Sequence, residues 1–187
     1  MPANVADALS FIVGSIGQLY AFVLILRLLL PWFRADFRNP LAQGILRITS
    51  PLVVPLRRVL PSFGRIDTAT IVVTFFVLYL TLLLVSLSLG LRPGPAILAL
   101  SSIVYIPLLI LRLYIFLIIV RVVLSWVAPE GYNPAIALFY TLTEPVLRPF
   151  QRLIPRMGGF DLSPIFAIIL VGALIRVVQG FVPLQVM

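Results

Sequence analysis

Few side chains in this sequence can do chemistry, so their spacing carries weight. Arg27 and Arg121 each lie five residues before a tryptophan, Trp32 and Trp126, about 7.5 Å at helical rise. Asp67 and Asp161 each open a long apolar stretch. A charge near hydrocarbon finds a partner, which predicts ion pairs Arg27–Asp67 and Arg121–Asp161. The other reading has each arginine extend to lipid phosphate while each aspartate caps its helix. A second group sits deeper. Gln18 and Arg112 precede their tryptophans by 14 residues, and Arg176 and Gln179 follow Pro164 by 12 and 15, so all four lie about 18–22 Å in. No carboxylate in any apolar stretch neutralises the two arginines. The four form a candidate intramembrane polar layer for an anion, a lipid headgroup or a partner's carboxylate. Shorter spans would instead carry the arginines to the outer interface.

Other chemistry is excluded by what is missing. The chain has no Cys and no His. Disulfides, thiol nucleophiles, zinc sites and His-ligated haem therefore have no ligands. The six carboxylates are scattered along the chain, and no glycine-rich phosphate loop is present. The expectation is no catalytic, cofactor-binding or metal residues, and no enzyme.

The elements that position these side chains are written twice. Residues 27–67 and 121–161 align without a gap and share 12 of 41 positions. The shared residues are Arg27, Leu30, Trp32, Asn39, Pro40, Thr49, Pro51, Pro55, Arg58, Pro61, Gly64 and Asp67. Their counterparts, 94 positions on, are Arg121, Leu124, Trp126, Asn133, Pro134, Thr143, Pro145, Pro149, Arg152, Pro155, Gly158 and Asp161. An apolar chain repeats Leu by chance, but not this order of Arg, Trp, Pro and Asp at one offset. The chain divides into a first repeat, 1–94 with segment 33–67, and a second, 95–187 with segment 128–161.

Of 187 residues 61% are hydrophobic and 11% charged, with a mean hydropathy of +1.16. A soluble domain is about 45–50% apolar and about 25% charged, so this is an integral membrane protein. Four stretches can cross a bilayer: 9–32, 69–91, 97–127 and 163–186. The third is long enough to tilt, kink near Pro107 or project. The N-terminus has no basic region before its apolar run and reads as a first span. Small residues, Gly14, Ser15 and Gly17 early and Gly172 with Gly180 late, suit close helix packing.

All 14 cations are Arg. Nine lie on the two repeated segments, and only Arg92 lies on the opposite side. The positive-inside rule therefore predicts cytoplasmic segments and both termini outside. An even number of spans per repeat makes the two copies parallel. Within each segment, Asn39-Pro40 and Asn133-Pro134 read as helix starts. The helices are expected to stop at Thr49 and Thr143. Pro51, Pro55 and Pro61, like Pro145, Pro149 and Pro155, predict extended residues and then a short helical turn. Gly64 and Gly158 turn the chain. The apolar residues in between place each segment in the interface or dipping into the membrane.

The pattern from Arg27 through Trp32, Asn39-Pro40, Thr49, Pro51, Pro55, Arg58, Pro61 and Gly64 to Asp67, followed by an apolar span, resembles the YggT/YlmG family of bacterial and plastid membrane proteins. The second copy, with GGFDLSP at 158–164, is nearer the family pattern than the first, where Arg65 and Ala69-Thr70 stand instead. The resemblance implies roles in osmotic or cation-stress tolerance, in cell division and nucleoid distribution, or in plastid cytochrome assembly. It brings no catalytic residue set.

The expected fold is all-α: four transmembrane helices as two parallel repeats, each with a Pro-rich amphipathic cytoplasmic segment. The expected function is a non-enzymatic scaffold or assembly factor of the bacterial inner membrane. It would bind membrane lipids with anionic headgroups, and a membrane-protein partner or a second copy, without direct nucleic-acid contact. The alternative is a small channel or transporter subunit in osmotic or cation-stress homeostasis.

Overall fold

The computed structural model describes residues 3–64, 66–127, 133–153, 161–184 and 186. Their helices are α1 (Ala3–Trp32), α2 (Pro40–Arg57), α3 (Thr68–Ser88), α4 (Pro95–Val127), α5 (Pro134–Leu153) and α6 (Ser163–Gln179). α1, α3 and α4 are long and apolar enough to cross a membrane. α6 is apolar but has 17 residues. The expected fourth span to residue 186 is therefore too long. After Gln179 the amide of Gly180 folds back on the carbonyls of Arg176 and Val177, and Pro183 cannot extend a helix.

Both repeats pack in one pattern. In the first, Leu24 of α1, Val53 of α2 and Val73 of α3 form a buried cluster with Ala69. In the second, their counterparts Ile118, Leu147 and Ala167 form another. Between the repeats, Ala21 and Ile25 of α1, Leu82 of α3, and Leu109 and Leu113 of α4 share one core. The side chain of Asn39 donates to the carbonyl of Pro134, joining the N-terminal ends of α2 and α5.

α1 and α3 approach closely because Gly17 has no side chain. A methyl group there would meet Thr81 Oγ1 at 2.1 Å and Cγ2 at 2.4 Å. Gly14 faces Val85. Gly172 has nothing within 4 Å, and Gly180 lies past the end of α6. The packing role expected of small residues thus holds for Gly14 and Gly17 and fails for Ser15, which is exposed, and for these two.

The Pro-rich segments differ from expectation. α2 runs unbroken through Pro51 and Pro55, and α5 through Pro145 and Pro149. Neither stops at its threonine. Each proline pair is spaced by four, so both rings share one side of the helix, and all four prolines are exposed. The missing N–H groups fall on one outer line, which a helix held by tertiary packing tolerates.

Candidate functional site

Each Pro-rich helix is fastened to the apolar helices by the repeated arginine. Arg27 rises from α1 beneath α2. Its Nη1 donates to Thr49 Oγ1 at 2.8 Å, Ser50 Oγ at 3.2 Å and the Leu46 carbonyl at 3.4 Å. Thr49 passes its own proton to the Ile45 carbonyl at 2.6 Å, and Ser50 to Leu46 at 2.6 Å. Both hydroxyl oxygens are thereby free to accept from the guanidinium. Thr49, beside Pro51, is therefore the seat of the anchor.

Asp67 completes this node. Its Oδ2 lies 3.8 Å from Arg27 Nε, so the expected pair is present, at ion-pair range. Asp67 also accepts from Thr70 Oγ1 at 2.7 Å, from the Thr70 amide at 3.4 Å, and from Arg57 Nη2. Burial pushes its carboxyl up, but the hydrogen bonds from Thr70 and Arg57 outweigh burial and hold it below the usual carboxylate value. Asp67 N-caps α3, as expected.

The second node uses the same arginine differently. Arg121 Nη1 donates to Thr143 Oγ1 at 3.0 Å and to Glu144 Oε2 at 3.0 Å. Its guanidinium stands 4.3 Å from the Tyr140 ring centroid, a cation–π geometry. Asp161 accepts from Gln151 Nε2 at 2.9 Å and from the Ser163 amide at 2.9 Å. Glu144 replaces Ser50, and Gln151 replaces Arg57. The carboxylate expected on Arg121 was Asp161; the one on it here is Glu144, a helical neighbour of Thr143. None of Arg57, Thr70, Tyr140, Glu144 and Gln151 was read from sequence as part of these nodes; Arg57 was expected beside Arg58 and Arg152 on the basic surface. Their signal was there: positions 50 and 57 change between copies while the residues around them repeat.

The rest of the motif punctuates. Asn39 and Asn133 accept from the amides of Leu41 and Ala135, both at 2.9 Å, at the starts of α2 and α5, followed by Pro40 and Pro134. Phe63 and Ile66 exchange backbone hydrogen bonds around Gly64, whose φ is +59°. Pro61 gives its carbonyl to Thr68 Oγ1. Trp32 and Trp126 are exposed at the ends of α1 and α4. Arg58 and Arg152 are exposed. Pro155 and Gly158 lie outside the described residues.

The candidate polar layer is placed less evenly. Gln18 and Arg112 are half-buried within α1 and α4. Arg176 is exposed and Gln179 half-buried, and both fall in the last turn of α6. Because α6 ends early, they sit at a helix end and not in mid-span, as the shorter-span reading allows. Among the described residues no ion pair involves Arg112 or Arg176. Between α1 and α4 lies an apolar groove of 420 Å³, lined by Leu19, Phe22, Val23, Leu26, Leu113 and Phe116. Leu113 and Phe116 are the repeat counterparts of Leu19 and Phe22, so the groove lies between equivalent faces.

The comparisons with known proteins follow this duplication. The CCB3/YggT family model matches residues 6–88 and again 100–182. Over 159 residues the chain is 43% identical to an uncharacterised protein of Pseudomonas aeruginosa, covering 84% of this chain and 81% of that protein. It is 32% identical over 164 residues to YggT of Escherichia coli K12, covering 88% and 85%. It is 39% identical over 66 residues to the chloroplast YlmG homolog protein 2 of Arabidopsis thaliana, 34% of this chain and 25% of that one. No solved structure matches.

Proposed function

The chain belongs to the CCB3/YggT family, and from that premise we propose that it is a non-enzymatic membrane scaffold or assembly factor. α2 and α5 are its working surface, holding anionic lipid headgroups and a partner protein. α1, α3, α4 and α6 all cross the bilayer. The Pro-rich helices face the cytoplasm and both termini face outward, because nine arginines flank one side and Arg92 alone the other.

One observation carries this reading. Two arginines are spent inside the protein to fasten α2 and α5 to the spans, while Arg47, Arg58, Arg148 and Arg152 stay exposed on their outer faces. A rigidly mounted basic surface suits anionic headgroups and an acidic partner. Arg57 is left out of that set because it pairs with Asp67.

The test is complementation of a deletion strain under osmotic or cation stress, with membrane abundance and crosslinked partners measured together. Changing Arg47, Arg58, Arg148 and Arg152 to Gln is expected to abolish rescue and partner recovery at normal abundance. If rescue survives that change and is lost through Arg112→Gln, the scaffold reading is replaced by a conducting or ligand-binding core. Reporter fusions at Met187 and near Arg92 test the orientation; a Met187 reporter active only in the cytoplasm overturns it.

A further inference from the structure

α2 has three faces. Ala42, Thr49 and Val53 are buried against α1 and α3. A second line, Leu41, Ile48 and Leu52 with Val59 in the following turn, is spaced seven, four and seven residues apart. That spacing keeps the line on one side of the helix, and its members are 41%, 58%, 48% and 80% exposed. The third face carries exposed Gln43, Arg47 and Arg58. The second repeat buries the middle of the corresponding line, while Leu153, counterpart of Val59, is 80% exposed like Val59 itself. Leu142, counterpart of Ile48, lies in the central core, and Val146, counterpart of Leu52, packs against it.

The depth of α2 says what covers its open line. Its middle turn is bonded to α1 at two points. Arg27 holds Leu46, Thr49 and Ser50, and the Tyr20 hydroxyl donates to the Ile48 carbonyl at 3.5 Å. Arg27 and Tyr20 precede Trp32 by 5 and 12 residues, about 7.5 and 18 Å along the helix. If Trp32 marks the interface, the Ile48 turn lies below the headgroups. A helix with an apolar line, a basic face and this depth fits the boundary between headgroups and acyl chains. A protein docking from water would have to displace lipid to reach it.

We infer that α2, and not α5, is sunk into the lipid leaflet, with Leu41, Ile48, Leu52 and Val59 on acyl chains and Arg47 and Arg58 toward anionic headgroups. The inference rests on the reading that the Pro-rich helices meet lipid, and it names the helix and the line of residues that enter.

The chain has no Cys, so single-cysteine labelling is clean. Ile48→Cys, Leu52→Cys, Arg47→Cys and Arg58→Cys, each carrying a fluorophore, are reconstituted in phosphatidylethanolamine–phosphatidylglycerol vesicles. Thr141→Cys, at the α5 counterpart of Arg47, is an exposed reference. Labels at 48 and 52 are expected to be quenched several-fold more by acyl-chain nitroxide lipids than labels at 47, 58 and 141, with the order reversed for aqueous iodide. Iodide quenching at 48 and 52 equal to that at 47 overturns the inference, as does shielding of 48 and 52 from both quenchers, which would place protein on the line. Because all these sites are exposed, labelling leaves the packed face intact. The scaffold reading fails by rescue and partner recovery instead, so the two failures are distinct.

Discussion

Arg27 and Arg121 hold the same place in the two repeats, yet they are neutralised in different surroundings. The side chains of Arg27 and Asp67 are 4% and 5% exposed, whereas Glu144, the carboxylate on Arg121, is 48% exposed. The first node joins two cations and one carboxylate: Arg27, Arg57 and Asp67. The second joins Arg121 to Glu144, and Asp161 accepts from Gln151 where Asp67 accepts from Arg57. Both nodes keep the bond from arginine to a threonine hydroxyl, which ties the Pro-rich helix to the span. What repeats is the anchor, and what varies is the source of countercharge. A buried anchor is costly to break because the remaining charge has no water, whereas an exposed one is rehydrated.

The largest expected effect follows directly. Arg27→Leu leaves Asp67 buried with only its half-exposed Arg57 partner and leaves Thr49 without its donor. It is expected to cost about 3–5 kcal/mol. Arg121→Leu is expected to cost about 1–2 kcal/mol, because water reaches Glu144. Denaturant unfolding in detergent micelles measures both. Equal losses would mean that the burial difference does not set the energetics.

Next comes the helix packing of the two copies. Gly17→Val drives a branched side chain into Thr81 and is expected to destabilise by about 1–3 kcal/mol. Gly172→Ala meets nothing within 4 Å and is expected to gain up to about 1 kcal/mol from helix propensity. A loss from Gly172→Ala would show that α6 packs more tightly than described.

A transplant sharpens the comparison of countercharges. Glu144→Ser with Gln151→Arg gives the second node the first node's residues at these two positions. Glu144→Ser is expected to cost about 1 kcal/mol by leaving Arg121 without its carboxylate, and Gln151→Arg, alone or in the pair, to return a similar amount through a contact between the introduced guanidinium and Asp161. No gain from Gln151→Arg would mean that the guanidinium does not reach Asp161.

The smallest effect is in pH. Asp67 titrates below its reference value of 3.8. Its stabilisation is complete above that value and is lost as pH falls from it through the lower folded value. An acid-side slope in micelle unfolding that Asp67→Asn reduces is the expected result; an unchanged slope would assign the acid sensitivity to other carboxylates.

Much of this was legible in the sequence. Asn-Pro starts a helix wherever the chain allows it, because side-chain capping and the fixed φ of proline are local. Gly64 turns the chain for an equally local reason, a positive φ. The Arg27–Asp67 pair was one of two readings that depth allowed, and the same depth named Asp161 for Arg121. The unbroken course of α2 and α5 was not. Proline rules weigh two missing hydrogen bonds against an isolated helix, while here Val53 and Leu147 bury a whole face against the spans. Nor was Glu144 legible as the partner of Arg121, since neighbouring residues on a helix point to different sides and the choice depends on how α5 sits on α4.

By itself, the sequence determined the membrane class, the duplication and the repeated arginines, but not that these seat on Thr49 and Thr143. Composition, a fixed offset of 94 positions and capping chemistry are properties of the chain and need no fold to be read. Tertiary structure alone decided that one copy encloses Arg27 and Asp67 while the other leaves Glu144 in reach of water, and that Ile48 lies open where Leu142 is buried. Those outcomes depend on which neighbour each surface meets. Dielectric and burial belong to the assembled surroundings of a residue and not to its identity.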